Sequence, residues 1–379
     1  MPVYLDNAAT TRVCPEAAEA AMEAMTSCYG NPSSTHAMGR EAAERLRKAR
    51  EQVSRALGCG CGELFFTSGG TEGDNWALRC GAAYNRRQGR HILSSAAEHD
   101  AVRNALKAME EEGWEVTFLR PDKDGAVSRE AVLEALREDT CLVSLMLVNN
   151  ETGAVTDLSD IVPAVREKNP KTLLHTDAVQ AFLKLPFRAD RLGVDLLTVS
   201  GHKIHAPKGI GGLYIRKGLN LPPLLRGGGQ EEGKRPGTEP LPLIAAFGAA
   251  AEAASATLEQ DLARMTALRT YALERLQTEN PGLLVLGGGA PQILSISLPG
   301  WRSETLLNCL EAMDIFISKS SACKKGKRSH VLEAMGLPAP VIDGALRVSF
   351  SRFTTQEETE RFCDALHSAR ERVRPSVRR

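Results

Sequence analysis

The sequence carries no excess charge of either sign, because its 47 lysines and arginines equal its 47 aspartates and glutamates. It also lacks any apolar run approaching the roughly 20 residues that a membrane-spanning helix needs. Its first residues, MPVYLDNAATT, do not show the basic stretch followed by an apolar run that is typical of a secretory signal peptide. We therefore expect a cytoplasmic protein that does not bind a membrane. Because its net charge is zero, we also expect no direct binding to nucleic acid.

The nine cysteines form no pattern typical of a disulfide framework or a metal centre. Their number is odd, and their spacing matches no disulfide scaffold. Cys59 and Cys61 form a close pair in a glycine-rich turn, but no second pair or cluster of cysteine and histidine accompanies them. We expect free thiols in a reducing compartment, and we expect no metal site.

Helices and short apolar strands alternate along the first two-thirds of the chain. Continuous apolar runs, such as residues 141–148, are typical of parallel strands that are buried on both faces. The alternation predicts an α/β layer fold with a mainly parallel sheet. Residues 241–278 are rich in alanine, leucine and charged residues, which predicts one long helix or two joined helices leading into a smaller α+β unit.

Polar motifs follow several of the predicted strands, where open α/β sheets place their functional sites. TSGGTEGDN, residues 67–75, joins a strand to a helix, so its glycines and Thr71 are suited to a phosphate-binding turn, or Thr71 simply caps the helix. Asp177 ends the strand in HTDAVQ, where its carboxylate could bind a protonated ring nitrogen or cap the next turn. His99 and Asn150 follow two further strands, although a single histidine in that place is often structural.

Lys203 lies three residues after an apolar strand, in the motif SGHKIHAPKGIG. A lysine is rarely buried without a partner or a task, and an amine in this place could form a Schiff base with an aldehyde. Ser200 and His202 beside it can both bond a phosphate, whereas Lys208 follows a proline in a glycine-rich loop and is typical of a turn. Together with Asp177, these groups are the ones that pyridoxal phosphate (PLP) requires, because a carboxylate keeps its ring nitrogen protonated.

The motifs as a set resemble the cysteine desulfurases of the class V aminotransferase group. In the family's order they are YLDNAATT, GNPSSTH, TSGGTEGDN, EHDAV, NNETG, HTDAVQ, SGHKIHAPKGIG, GGGQEEGKRPGTEP and SSAC…RVSFSRFTT, from Tyr4 to about residue 370. The resemblance implies a fold-type I PLP-dependent transferase. Its large PLP-binding domain, residues 14–255, would hold a mainly parallel seven-stranded-type sheet, and residues 1–13 with 256–379 would form a smaller α+β domain that carries the catalytic cysteine.

The resemblance also implies a homodimer that converts L-cysteine to L-alanine and leaves the sulfur as a persulfide on Cys323. A protein acceptor, for iron–sulfur cluster assembly or tRNA thiolation, would then take the sulfur. Lys203 would bind the cofactor and shuttle protons, and His99 would stack on the ring. The implied cofactor-binding residues are Gly70, Thr71, Asn150, Asp177, Gln180, Ser200, His202, Lys203 and, from the other subunit, Thr238. The implied substrate-binding residues are Asn31, Asn150 and Arg347.

Two departures from the family's pattern stand out. Pro236 occupies a position where the family often has serine, and only KKGKR separates Cys323 from Ser329. We expect this short basic loop to limit the reach of Cys323 and to favour an acceptor that docks close by with an acidic surface. The residues leave open a selenocysteine lyase, another class V aminotransferase reaction, or a non-catalytic sulfur-transfer scaffold, although a transaminase does not need a cysteine in a Ser-Ala-Cys loop.

Overall fold

A computed structural model describes residues 2–319, 328–373 and 375. The strands are β1 (Val3–Tyr4), β2 (Leu64–Thr67), β3 (His91–Ser95), β4 (Glu115–Leu119), β5 (Thr140–Ser144), β6 (Leu173–Asp177), β7 (Leu196–Ser200), β8 (Gly211–Ile215), β9 (Leu284–Val285), β10 (Ile293–Ser297), β11 (Ile315–Phe316), β12 (Ser318–Lys319) and β13 (Ala345–Ser349). The α-helices are α1 (Pro15–Thr26), α2 (Ala37–Leu57), α3 (Gly70–Asn75), α4 (Gly81–Tyr84), α5 (Asp100–Glu111), α6 (Arg129–Ala135), α7 (Leu158–Lys168), α8 (Ala189–Leu192), α9 (Leu241–Ala256), α10 (Leu258–Glu279), α11 (Ser303–Glu311), α12 (His330–Ala334), α13 (Ala339–Asp343) and α14 (Gln356–Arg372).

The largest sheet has seven strands in the order β2-β8-β7-β6-β5-β3-β4. All neighbours are parallel except β8, which runs antiparallel to both β2 and β7. This confirms the expected α/β fold with a mainly parallel sheet. Side chains that alternate along its strands enter two different apolar cores; Phe66 and Leu93 belong to one, and Phe65 and Ile92 to the other. The sheet is therefore covered on both faces, as the continuous apolar strands require.

One strand prediction needs correction, and one strand was not predicted. The strand expected over residues 141–148 ends at Ser144, and the rest of that apolar run continues as irregular chain. Its buried N–H groups at Leu145 and Leu147 still donate to the β6 carbonyls of His175 and Asp177, which explains why the run is apolar although it is not a strand throughout. The sequence also gave no signal for β4, because this edge strand is partly exposed and lacks a continuous apolar run.

The second part of the fold is an antiparallel sheet in the order β12-β13-β10-β9. Its apolar core takes in residues of α10, α11 and α14, and also Val3 and Leu5 from the start of the chain. Of the two alternatives predicted for residues 241–278, one long helix or two joined helices, the structure has the second, as α9 and α10. The predicted domain boundaries stay a prediction. Among the described residues no single helix is long and apolar enough to cross a membrane; α9 and α10 pass only as a pair bent by 73°.

Candidate active site

Polar residues end three strands at one edge of the large sheet. Thr67 of β2 and Ser200 of β7 both pair with Gly211 of β8, while Asp177 of β6 pairs with Thr198. Because β2, β6 and β7 run in the same direction, their carboxyl ends lie side by side. This edge is where open α/β sheets bind ligands, and it is where the sequence placed the candidate residues.

The turn after β2 is shaped for close approach to an anion. Gly69 has φ +151°, and helix α3 begins at the next residue, Gly70. A Cβ built on Gly69 would lie 4.0 Å from the Ser200 hydroxyl oxygen, so that hydroxyl faces the turn. The first N–H groups of the helix have no intrahelical acceptors. Gly69 rather than Thr71 occupies the N-cap position, so the alternative that Thr71 caps the helix is wrong, and its exposed side chain stands in the first turn.

Lys203 ends a short 3₁₀ turn that follows β7 directly. Its ammonium group donates hydrogen bonds to the carbonyls of Ala8 at 2.7 Å and Ala9 at 2.8 Å. The side chain is half-buried, whereas Lys208 is exposed. His202 shares a hydrogen bond of 3.2 Å between its Nδ1 and Thr10 Oγ1. Burial, together with the charges of Lys203 and other cations, lowers the pKa of His202 to about 4, so its imidazole is neutral at pH 7.

Asp177 is a buried carboxyl group at the end of β6, and its Oδ1 accepts the Val179 N–H at 2.8 Å. Burial raises its pKa, while the positive charges of His99 and Lys203 oppose that shift. The Gln180 side-chain amide donates to the Ala8 carbonyl at 2.8 Å. Its own carbonyl oxygen is buried and has no hydrogen-bond partner among the described residues. The site thus offers one anionic group and one unused acceptor beside Lys203.

His99 caps the start of α5. Its Nδ1 accepts the Ala101 N–H at 3.1 Å, which places the proton of a neutral imidazole on Nε2. The residue is exposed, and it lies near enough to Asp177 to interact with it electrostatically. His99 therefore caps a helix and is also close to the site, so its structural role does not exclude a functional one.

Arg347 is a buried arginine in β13 that reaches the same region from the smaller sheet. Its Nη2 donates to Asp6 Oδ1 at 2.8 Å, and its Nη1 donates to the Asn150 carbonyl at 2.9 Å. Two buried polar atoms have no hydrogen-bond partner within the described part of the chain: the Nε of Arg347 and the side-chain oxygen of Asn150. The pair therefore keeps one donor and one acceptor available for a ligand that carries a carboxylate and an amine.

Two of the described candidates make no contact with this group. Asn31 is exposed, and its side-chain oxygen accepts the N–H of Ser33 at 2.9 Å. Thr238 is exposed and follows Gly237, whose φ is +105°. Neither makes a hydrogen bond to the Lys203 region among the described contacts. Cys323 lies outside the described residues.

The chain on both sides of residues 320–327 is anchored close to the site. Ser318 pairs with Arg347 across the β12–β13 ladder. After the undescribed residues, the His330 imidazole Nε2 contacts the carbonyl of Glu98 at 2.9 Å, directly before His99. The buried Ser329 hydroxyl also donates to the Glu151 carboxylate. The segment that carries Cys323 therefore starts and ends beside residues of the candidate site.

Comparison with known proteins agrees with this arrangement. The sequence model of the family described as Aminotransferase class-V matches residues 3–362. The chain belongs to this family. It is 41% identical to the cysteine desulfurase of Trichormus azollae over 98% of this chain and 94% of that relative. It is 39% identical to the cysteine desulfurase IscS of Methanosarcina thermophila over 98% of this chain and 93% of that relative.

Solved structures share the fold over nearly the whole chain. A structure described as a NifS-like protein superposes with a TM-score of 0.93 at 38% identity and covers 98% of this chain and 100% of its own. A structure described as SspA in complex with cysteine has a TM-score of 0.81 at 32% identity, with 93% and 99% covered. The fold-type I architecture expected from the sequence is confirmed by these neighbours.

Several residues of this class V site were missed by sequence reasoning. Asp6 binds Arg347 from a segment 341 residues away, and no local pattern reveals such a contact. Asp74 is a buried carboxyl group 3.6 Å from His175, and burial together with nearby Asp177 raises its pKa well above the usual value. Because two coupled buried carboxyls do not both ionise, we assign the proton to Asp74 and the charge to Asp177, which the positive charge of Lys203 favours.

Lys184 is a buried lysine near the site. Its ammonium nitrogen has no hydrogen-bond partner among the described residues. Burial, and then repulsion from Lys203 and Arg347, lowers its pKa to about 7. The only sequence signal was a lysine between apolar residues in AFLKLPF, which is also typical of a surface turn.

Within the described ranges, the cysteines and other metal-binding side chains form no further site. The eight cysteines within the described ranges form no disulfide. Burial raises the pKa of Cys59 to about 12, so this thiol stays protonated at neutral pH. No group of three or more histidine, cysteine, aspartate or glutamate side chains in the described part of the chain could hold a metal ion.

Proposed function

We propose that this chain is a PLP-dependent cysteine desulfurase that converts L-cysteine to L-alanine and stores the sulfur as a persulfide on Cys323. The proposal rests on one observation: three functional groups lie beside a glycine turn at one edge of the sheet. They are the Lys203 amine, the buried Asp177 carboxyl and the Ser200 hydroxyl. Relatives named cysteine desulfurase cover almost the whole chain, which supports the same reaction.

The residues fit PLP in three respects. The glycine turn at Gly69, with Ser200 beside it, suits a phosphate group. Asp177 is a buried acid suited to a ring nitrogen. The unpartnered oxygen of Gln180 and that of Asn150 leave polar atoms for the ring substituents and the substrate. When bound, PLP supplies an electron-withdrawing ring that stabilises negative charge at the substrate Cα.

We assign phosphate binding to Gly70, Thr71, Ser200 and His202 of one chain. Neutral His202 would donate through Nε2, because Nδ1 already contacts Thr10. The partner subunit's Thr238 would complete the phosphate site, which requires the homodimer that the resemblance implies.

The side chains around the substrate divide the remaining tasks. Lys203 would hold the cofactor through its amine and move a proton at the substrate Cα. The carbonyls of Ala8 and Ala9 hold that ammonium group and fix its orientation. Arg347 would bind the substrate carboxylate through charge-assisted hydrogen bonds, with Asn150 and Asn31 orienting the substrate. His99 would stack on the ring and assist proton transfer through Nε2.

The sulfur step balances without an added oxidant. The Cys323 thiolate attacks the substrate sulfur, an S–S bond forms, and the bond between Cβ and sulfur breaks. The carbon fragment keeps the electron pair and gains a proton, so that cysteine and a thiol yield alanine and a persulfide. The anchoring of Ser318 and His330 beside Arg347 and His99 supports this role for Cys323.

We further propose a cytoplasmic homodimer divided into a large domain, residues 14–255, and a small domain, residues 1–13 with 256–379. Met22 and Met25 on one face of α1 are 58% and 53% exposed, and such an apolar face suits a second copy. The sulfur acceptor would be a protein of iron–sulfur assembly or tRNA thiolation, with no membrane or nucleic acid involved directly. The short basic loop after Cys323 favours an acceptor with an acidic surface.

Covalent trapping tests the cofactor assignment. Borohydride reduction of the purified protein followed by peptide mapping should place a pyridoxyl label on Lys203, and a Lys208→Ala variant should label to the same extent as the wild type. A label on Lys208, or no label on a protein with bound PLP, would contradict the assignment.

Persulfide mapping tests the reaction. After incubation with L-cysteine, alkylation and mass spectrometry should find the extra sulfur on Cys323, together with alanine. Cys323→Ala should lose the persulfide while keeping the absorbance of bound PLP. Cys61→Ala is the matched control, because Cys61 is exposed and outside the site. If Cys61→Ala loses the persulfide and Cys323→Ala keeps it, the proposed role of Cys323 is wrong.

A further inference from the structure

An ion pair joins the proposed phosphate turn to the segment that carries Thr238. Arg235 Nε donates to Glu72 Oε1 at 2.8 Å, and Arg235 Nη2 donates to Oε2 at 3.1 Å. The two side chains are 22% and 13% exposed. Glu72 follows Thr71 directly, and Arg235 stands three residues before Thr238. The bidentate geometry makes the pair specific to arginine and carboxylate.

Glu72 also closes the phosphate turn. Its Oε2 accepts the Ser68 N–H at 2.8 Å, so the carboxylate spans the turn and the first turn of α3. Burial opposes ionisation of Glu72, yet hydrogen bonds from Arg235 and Ser68 hold its pKa below the usual value. The Glu72 carboxylate is therefore negatively charged at neutral pH, and it lies beside a turn suited to an anion.

The segment before Arg235 is held at a second point. Glu231 and Glu232 have φ of +47° and +58°, which are unusual for residues other than glycine and persist only where contacts impose them. The buried Glu231 carboxylate accepts the Phe66 N–H at 2.9 Å and an Arg50 Nη1 bond at 2.9 Å. The segment is thus fixed to β2 as well as to α3.

Charge explains why the arginine is needed. A phosphate dianion that binds at the turn would be repelled by the Glu72 carboxylate, and the repulsion is strong where water is partly excluded. Arg235 offsets that charge while holding the Thr238 segment at a set distance from the turn.

We propose that Glu72 and Arg235 are a positioning pair for the cofactor phosphate: Arg235 neutralises the carboxylate that closes the turn and fixes the segment that completes the partner's site. This inference rests on the proposed function, since it concerns the phosphate of PLP. Neither residue needs to touch the phosphate.

Cofactor binding to the apo-protein tests the pair, with pyridoxal phosphate and phosphate-free pyridoxal as probes in an absorbance titration. Arg235→Gln should weaken binding of pyridoxal phosphate about 10- to 100-fold, because it leaves an unpaired charge. Binding of pyridoxal should change less than about threefold, since it lacks the repelled group. Glu72→Gln combined with Arg235→Gln should recover part of the affinity, because it removes the charge that Arg235 offsets but not the loss of the contact that holds the Thr238 segment.

Lys234→Gln is the matched control, because this neighbouring cation contacts Asn220 and Leu221 rather than Glu72. It should bind pyridoxal phosphate like the wild type. If Arg235→Gln does not fold, Arg235→Lys replaces it, because it keeps the charge but loses the bidentate contact with Glu72. We expect this variant to lose less affinity for pyridoxal phosphate than Arg235→Gln and to bind pyridoxal normally.

The outcomes separate the two proposals. Equal losses for both probes, unchanged binding of pyridoxal phosphate, or no recovery in the double variant would overturn the pair's role in phosphate binding. A wild-type protein that binds neither probe would overturn the proposed function and, with it, this inference.

Discussion

Two lysines in one motif differ in what surrounds them. Lys203 is half-buried and held by two backbone carbonyls, whereas Lys208 is exposed. Sequence reasoning could separate them because one follows a strand and the other follows Pro207 in a glycine loop. It could not predict Ala8 and Ala9 as partners, because they lie 195 and 194 residues away and present only main-chain oxygen.

Lys184 leads to a test of stability. We expect Lys184→Met to raise the free energy of unfolding at pH 7 by roughly 1–4 kcal/mol, because the wild type buries an amine without a described partner. Its pKa falls from 10.5 in the unfolded chain to about 7 in the fold. Between these values the unfolded chain binds more protons, so wild-type stability rises with pH. The gain should be largest at or below pH 7 and vanish near pH 10.5.

Denaturant unfolding at several pH values measures this difference. Lys208→Met serves as the control, since it makes the same change of side chain at an exposed position. A gain for Lys184→Met that is as large at pH 10 as at pH 7 would show that packing alone, and not the charge, explains it.

At the scale of elements, the sequence located the central strands and the helices of the site because they are apolar and continuous or clearly periodic. It mislocated the end of β5, since hydrogen bonds to β6 continue beyond the strand and keep the chain apolar. The sequence placed Gly70 and Thr71 in a turn, but it could not show which residue caps α3. The N-cap residue is Gly69, which has no side chain that would mark it as a cap.

The seating of α3 on β7 depends on Gly73. A Cβ at this position would lie 2.7 Å from Thr198 Cγ2, closer than packed side chains allow. We expect Gly73→Ala to lower the free energy of unfolding by about 1–3 kcal/mol and to weaken PLP binding, because α3 must move away from the sheet and carries the turn with it.

Thermal unfolding and a PLP titration check this expectation. Gly62→Ala is the matched control, because a Cβ there meets nothing within 4 Å. If both variants unfold at the same temperature and bind PLP equally, the contact between α3 and β7 does not set the site.

At the scale of the whole molecule, the proposed site needs two chains. Thr238 is exposed and makes no described hydrogen bond to the residues of its own chain that contact Lys203, which is consistent with a contact across a dimer. The described chain alone could not establish that contact, and the sequence indicated it only through its resemblance to a family.

Mixed dimers test shared sites. Combining Lys203→Ala chains with Thr238→Ala chains should restore about a quarter of wild-type activity, because half the dimers are mixed and each has one intact site. Lys203→Ala mixed with Asp177→Ala should restore nothing, since both residues come from one chain. Sedimentation of a monomer, or no recovery in the first mixture, would contradict the dimer.

The start of the chain depends on its end. Asn7 and Ala8 bond to Ser349 through the Asn7 side-chain amide at 2.9 Å and the Ala8 N–H at 2.8 Å. A ribosome that adds about 5–20 residues per second needs roughly 20–70 s to make the chain between them. During that time the Ala8 and Ala9 carbonyls, which hold Lys203, lack the contact with Ser349 that fixes their segment. A nascent chain therefore cannot form the complete site. Cofactor can bind only after β13 has left the ribosome.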